Sequence, residues 1–299
     1  MRLGVDLGGT KTEIVALDAS GGEIFRRRIP TVRDYDGTVD AIAGLVAEAE
    51  AKTGQRGSVG LAIPGTVSRH TGLIKNANSV WLNGMPFPRD LEPVLKRPVR
   101  LANDANCFAL SEATDGAGAG EAVVFGVILG TGVGGGVVVD GKVVGGAHGI
   151  GGEWGHNPLP GMTVPEWARV SQCYCGRQGC IEQWLSGPAL AAHFASANAS
   201  RDSAWSAEVI AASAAPEARA AMTAWMERLA RALASVMNIL DPDVIVLGGG
   251  LSNIESLYRE LPELVERHAF MPETPPRIVR NRHGDSSGVR GAAWLWNSS

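Results

Sequence analysis

Residues Leu3-Gly4-Val5-Asp6-Leu7-Gly8-Gly9-Thr10-Lys11-Thr12-Glu13-Ile14-Val15-Ala16-Leu17 read as a short apolar strand, a tight glycine turn and a return strand. Asp18 to Gly22 turns the chain again, and Glu23 to Pro30 supplies a third strand. The same pattern returns about half a chain later. Val123 to Leu129 is an apolar strand, Gly130-Thr131-Gly132 a turn, and Gly134 to Val139 a return strand. Asp140-Gly141 is a hairpin turn, and Lys142 to Gly145 begins a third strand. Two copies of one unit predict a duplicated architecture with one glycine turn in each half.

Between the copies, a helix is expected from Gly37 to Lys52, a strand over Ser58 to Ile63 and an extended loop from Pro64 to Pro88. A strand over Val99 to Ala102 and a helix over Ala105 to Ala113 follow. The second half carries an irregular Gly/Cys-rich segment from Gly145 to Gly179, then alanine-rich helices to Leu240, where Asp241-Pro242 ends the last of them. Val244 to Leu247 is a buried strand, followed by Gly248-Gly249-Gly250 and a helix from Asn253 to His268. Strands alternating with helices give an α/β class. The expected division is residues 1–117, completed by a C-terminal helix over 286–299, against residues 118–285, with a hinge near Gly116 to Gly120.

Composition narrows the function. Of 299 residues, 45% are hydrophobic and 19% charged, so the chain has ample material for a core, and the net charge is −4. An acidic chain whose longest basic run is Arg26-Arg27-Arg28 is a poor nucleic-acid binder, and that triplet reads as a solvated strand edge. Ala122 to Val139 is uncharged and long enough to imitate a membrane span. Its six glycines and many β-branched residues fit two buried strands instead. With Asp6 interrupting any early apolar run, no signal peptide or membrane segment is expected, which implies a cytoplasmic protein.

Gly130-Thr131-Gly132-Val133-Gly134-Gly135 matches the dinucleotide fingerprint in form only, because it runs into a strand rather than a helix. A Walker A loop is absent too, since no G-K-[ST] occurs. What remains is another phosphate device. Glycines without a Cβ let backbone N–H groups approach phosphate oxygens, and Thr10, Lys11 and Thr131 add donors and charge.

Asn103-Asp104 stands between a strand and a helix. A carboxylate there suits a general base, and both residue types equally suit an N-cap. Cys173-x-Cys175-x₄-Cys180, with His156 seventeen residues upstream, gives three thiolates and one imidazole. In a reduced compartment this is a closed, structural zinc set, and a metal is a sensible staple for so irregular a segment. Cys107, on an apolar helix, reads as core packing. Glu153 and His156 do not form H-E-x-x-H, so zinc-hydrolase chemistry has no support.

The chain resembles the ROK family of bacterial sugar kinases, within the actin/hexokinase/Hsp70 superfamily. The stretches that carry the resemblance are Asp6-Leu7-Gly8-Gly9-Thr10-Lys11, Leu101-Ala102-Asn103-Asp104-Ala105-Asn106, Gly152-Glu153-Trp154-Gly155-His156, and Cys173-Tyr174-Cys175-Gly176 to Cys180-Ile181-Glu182. Further stretches look closest to its fructokinase (manno-fructokinase) branch. They are Lys75-Asn76-Ala77-Asn78-Ser79, Trp81-Leu82-Asn83-Gly84, Asn238 to Asp243, and His283-Gly284-Asp285-Ser286-Ser287-Gly288-Val289-Arg290. The resemblance implies two ribonuclease-H-like α/β domains with an interdomain active-site cleft, and an ATP-dependent hexose kinase acting on fructose at O6, and also on mannose. It implies glucokinase or N-acetylhexosamine kinase as alternatives. A ROK-type transcription regulator is disfavoured, because the first phosphate loop begins at Asp6 and leaves no room for a DNA-binding module.

By the same resemblance Asp104 is the general base, and Gly65, Asn78, Asn103, Asp104, Glu153, His156 and Glu182 bind the sugar. Gly8, Gly9, Thr10, Lys11, Gly130, Thr131, Gly132, Gly248, Gly249 and Gly250 bind ATP, and Asp6 is the carboxylate on the magnesium side, acting through water. The implied cofactors are MgATP and a structural zinc ion on His156, Cys173, Cys175 and Cys180. The implied partners are a hexose, ATP and a second copy of the chain.

Overall fold

The first glycine turn joins strands Arg2–Leu7 and Lys11–Leu17 in an antiparallel register that sets Leu7 opposite Thr12. In the structure, a computed structural model that describes residues 1–198, 205–270 and 273–296, Glu23–Pro30 extends this pair. Ser58–Ile63 and Val99–Asn103 then add on the other side of Arg2–Leu7 in parallel. The sheet order is therefore Glu23–Pro30, Lys11–Leu17, Arg2–Leu7, Ser58–Ile63, Val99–Asn103. Alternation along these strands sends Leu3, Val5, Leu7 and Ile14 into a core with Ile42, Leu45 and Val46 of the helix Tyr35–Thr53. That helix starts where the Asp34 side chain accepts from Gly37 N at 2.7 Å, and stops at Gly54, whose φ is 66°.

On the opposite face the helix Ser287–Trp294 comes so near that side chains are excluded. A Cβ at Gly4 would meet Val289 O at 2.0 Å, and one at Gly60 would meet Ala292 O at 1.9 Å. These strand glycines exist for the approach of another backbone. Beside it lies the helix Asp104–Thr114, with Ala105 to Ala113 buried throughout.

The second sheet repeats the first in order: Lys142–Val143, Val133–Val139, Val123–Leu129, Val244–Gly248, Ile278–Arg280. Again three meander strands are followed by two parallel ones, since Val244–Gly248 runs parallel to both Val123–Leu129 and Ile278–Arg280. The uncharged run over residues 122–139 is thus two strands. Among the described residues no helix is long and apolar enough to cross a membrane. Helix Pro216–Leu240 ends as expected, with Asp241 at φ 45° just before Pro242.

Contacts divide the chain into one unit of Met1–Gly120, Gly136–Gly152 and Arg282–Ser299, and another of Glu121–Gly135 and Glu153–Asn281. Residues 136–152, placed with the second half by the sequence reading, group with the first. Positions 297–299 of the expected C-terminal helix lie outside the described residues.

Other differences have plain causes. The loop expected from Pro64 to Pro88 contains the short strands Thr66–Val67 and Ile74–Lys75, and the helix Phe87–Leu95 begins within its end. Pro88 sits in its first turn, where a missing N–H costs nothing, so proline marks a start here rather than a break. Gly250–Asn253 is a short 3₁₀ turn, and the following helix begins at Ser256 rather than Asn253. The arginine triplet is only partly a solvated edge. Arg28 reaches Glu13 at 2.8 Å and Arg26 holds the other oxygen of the same carboxylate, which is 3% exposed on the neighbouring strand. Arg27, between them, remains in solvent.

Candidate active site

In the first unit, Gly8–Thr10 forms the turn expected of a phosphate loop. Gly8 N donates to Lys11 O at 3.1 Å, and Thr31 fixes the turn from outside by donating through Oγ1 to Gly8 O at 2.7 Å and through N to Thr10 O at 3.0 Å. Gly9 has nothing within 4 Å of where a Cβ would stand, so its backbone is open to an incoming group. Asp6 lies at the mouth of this turn. Burial first, then the charges of Asp104 and Glu13, push its pKa up to about 7 against the pull of Lys11 and Arg28.

Of Asn103 and Asp104, the structure gives the helix cap to Asn103. Asn103 Oδ1 accepts from Asn106 N at 2.8 Å and caps the helix. Its amide nitrogen keeps its donors for something else. Asp104 Oδ1 accepts from Ala105 N at 2.8 Å. Asp104 keeps accessible surface, yet protein atoms crowd its carboxylate, so desolvation raises its pKa while Ala105 N–H and its own N–H pull it back. Gly65, at φ 148°, turns against the chain at Lys75 and Ala77, which brings it to the loop carrying Asn78. Asn83 holds that loop from both sides, accepting from Ala77 N and donating to Ala77 O, each at 2.9 Å.

In the second unit, Gly130 N donates to Gly132 O at 3.0 Å, and Gly130 O accepts from Gly187 N at 2.8 Å. Glu182 Oε2 accepts from Val133 N at 2.9 Å, and a Cβ on Gly132 would come within 2.7 Å of that oxygen. Glu182 therefore braces the second glycine turn, a link that spacing alone did not reveal. Gly249, at φ 81°, faces Leu129 O at 2.4 Å from its would-be Cβ, so the Gly248-Gly249-Gly250 loop adjoins the second phosphate loop. Ser252 anchors it, with Oγ donating to Gly249 O at 2.7 Å.

The ligand atoms of His156, Cys173, Cys175 and Cys180 all lie within 4.8 Å of one another. Cys175 Sγ and Cys180 Sγ are 3.6 Å apart, as are Cys173 Sγ and His156 Nδ1. A disulfide needs about 2.05 Å, whereas thiolates about 2.3 Å from a tetrahedral zinc ion stand about 3.8 Å apart. The donor set fits zinc. Gly176 and Gly179, with φ of 86° and 69°, supply the knuckle turns. Because Nδ1 faces the sulfurs, His156 Nε2 faces outward, 3.0 Å from Tyr174 Oη and 4.0 Å from Glu153 Oε2. Tyr174 was not foreseen as part of this group. Its place between two cysteines was the available signal.

Residues 2–299 match the ROK family. An N-acetyl-D-glucosamine kinase of Photobacterium profundum is 42% identical over 304 residues, covering 99% of both chains. One from Escherichia coli is 41% identical over 308 residues, again covering 99% of each. Among solved structures, a ROK hexokinase from Thermus thermophilus superposes with a TM-score of 0.85 at 32% identity, over 98% of this chain and 96% of that one. A ROK glucokinase from Streptomyces griseus, in complex with glucose and AMPPNP, gives 0.75 at 28% identity over 98% of each.

The curated relatives are thus named for N-acetyl-D-glucosamine and not for fructose, which corrects the expected fructokinase branch. The stretches behind that expectation have structural work here. Asn83 clamps a loop, Asp241 ends a helix, and His283 to Arg290 is bound into the first unit through Glu112 and Asp115. Residues that build the fold do not report which sugar is bound.

Proposed function

The chain belongs to the ROK family, and from that premise we propose that it is an ATP-dependent N-acetyl-D-glucosamine kinase that phosphorylates the sugar at O6. The observation that carries this reading is likeness of 41–42% across 99% of the chain to kinases named for that sugar. Since ATP is the donor, the cytoplasm is its place of work.

Asp104 takes the proton of the attacking hydroxyl as that oxygen bonds to the γ-phosphorus and the bond from phosphorus to the bridging β,γ-oxygen breaks, leaving ADP. Asn103, its Oδ1 spent on the cap, donates from Nδ2 to a sugar oxygen. Gly65, Asn78, Glu153, His156 and Glu182 complete the sugar set. Gly8 to Lys11, Gly130 to Gly132 and Gly248 to Gly250 hold the nucleotide, with open space beside Gly9 and Gly130 for phosphate to approach. Asp6 would be the protein-side carboxylate for a magnesium ion carried by ATP, which would supply charge neutralisation on the phosphates. Zinc on His156, Cys173, Cys175 and Cys180 staples the segment that presents His156 and Glu182.

Initial rates over N-acetylglucosamine, glucose, mannose and fructose test the substrate. We expect kcat/KM for N-acetylglucosamine to exceed that for fructose by at least about tenfold. A preference for fructose would sink the assignment and leave the kinase reading standing.

The pH profile tests the base. A carboxylate whose pKa is raised gains its proton, and stops accepting one, as pH falls through that raised value. With Asp104 raised by burial and Asp6 pushed to about 7, kcat/KM should fall on the acid side well above the ordinary aspartate pKa of about 3.9. A profile flat down to that ordinary range would contradict the assignment.

A further inference from the structure

The stretch His283 to Arg290 has no part in the chemistry above, yet it is tied into the first unit by a group of hydrogen bonds and ion pairs. Glu112, 0% exposed, accepts from Ser287 Oγ at 2.7 Å, Arg282 N at 3.0 Å, His283 N at 3.3 Å and Ala117 N at 2.9 Å. His283 Nε2 lies 2.9 Å from Asp115 Oδ1, and Arg290 donates to the other oxygen of Asp115 and to Gly21 O. Glu112 and Asp115 stand at the far end of the helix that begins with Asp104. One further turn along, a Cβ on Gly291 would collide with Cys107 O at 1.7 Å. The first turn of helix Ser287–Trp294 is therefore fixed against the Asp104 helix and cannot retreat.

Gly288 sits in that turn, and its φ is not in the left-handed region, so its backbone does not require glycine. What requires it is space. A Cβ there would stand 3.0 Å from Asp6 Oδ2 and 3.6 Å from its Cγ, and among the described residues no other atom outside its own helix lies within 4 Å. We propose that Gly288 is a positioning residue for phosphoryl transfer: its bare Cα, clamped by Glu112 and Asp115, sets where the Asp6 carboxylate rests. The proposal rests on the reading of Asp6 as the carboxylate on the magnesium side. Any methyl added at 288 meets a helix that is held and a carboxylate that can turn, so the carboxylate moves by a few tenths of an ångström.

The test is Gly288→Ala in the full-length chain, alone and combined with Asp6→Asn. Alanine is the better helix former, so the melting temperature should hold or rise. Displacing Asp6 should lower kcat about tenfold and raise the magnesium concentration for half-maximal rate several-fold, with sugar KM unchanged. If Gly288 acts through Asp6, adding Gly288→Ala to Asp6→Asn should change the residual rate less than about twofold. The positioning role is overturned alone if the wild type is active and Gly288→Ala leaves the magnesium dependence unchanged. The same follows if it is equally damaging beside Asp6→Asn, or lowers the melting temperature, which would mean that the helix yielded instead. A wild type without magnesium-dependent sugar phosphorylation overturns the functional reading and this proposal together.

Discussion

Asp104→Asn is expected to lower kcat by about 10²–10⁴ while the affinity for ATP changes little. Asparagine keeps the size of the side chain and an oxygen to accept from Ala105 N–H, which Asp104 does at 2.8 Å. It removes only the ability to take a proton. The usual objection to such a variant is that an aspartate at a helix start caps it, so its loss unfolds the turn. Here the cap is Asn103, through the bond from Asn106 N, and that bond survives the substitution. Desolvation raises the Asp104 pKa, so its ionisation costs the fold stability, in full once the pH has risen through the raised value. Replacing it with a neutral amide should therefore leave the melting temperature equal or higher at neutral pH. Steady-state kinetics beside thermal melts separate the two effects. Turnover near that of the wild type would remove Asp104 from the role of base.

Legibility in the sequence followed the range over which the deciding contacts act. The two glycine turns were legible because hairpin chemistry is local, and the two sheets share one order because both copies of that local pattern fold alike. The grouping of His156 with the cysteines was legible because the three cysteines span eight residues and only His156 comes from outside. Which of Asn103 and Asp104 caps the helix was not legible, since that depends on where a side-chain oxygen points, which only the folded turn decides. Glu13 was missed altogether. On a strand it reads as an exposed polar residue, and only pairing with Glu23–Pro30 brings Arg26 and Arg28 onto it. The same holds for Ser287 and Glu112, 175 residues apart, whose bond turns a stretch resembling a branch signature into part of the scaffold. The choice of sugar lies further still from local pattern, because differences among hexoses are read by the set of side chains that several distant segments bring together.

Removing zinc is expected to cost the enzyme its sugar before its nucleotide. We expect about one zinc ion per chain by elemental analysis. Cys175→Ser should lose it, and with it raise sugar KM about 10–100-fold, with ATP KM little changed. The asymmetry comes from how each segment is held. The loops Gly130–Gly132 and Gly248–Gly250 are fastened by their own backbone and by Gly187 N and Ser252 Oγ, none of which needs a metal. Between Cys173 and Cys180 the backbone bonds of Cys173, Gly176 and Gly179 and the bridges of Gln172 with Gln178 and Pro158 with Cys180 leave the backbone of Tyr174 and Cys175 outside them. Tyr174 and Cys175 are exposed there and contribute no core. Burial, helped by the neighbouring thiols, pushes Cys180 up to about 12, so without a cation that thiol stays protonated. Both ends of the candidate sugar set hang from this cluster. His156 is oriented by presenting Nδ1 to it, and Glu182 follows Cys180 by two residues. Loss of the ion frees the imidazole to rotate and loosens the entry to the helix Glu182–Leu185 that carries the carboxylate, while the second glycine turn keeps its own backbone bonds and Gly187 N. A closed four-ligand site exchanges slowly, so with the wild type activity should fade over minutes to hours in chelator rather than at once, and return with added zinc. A metal-free preparation with unaltered sugar KM would show that the four side chains are packing and that the segment stands without a staple.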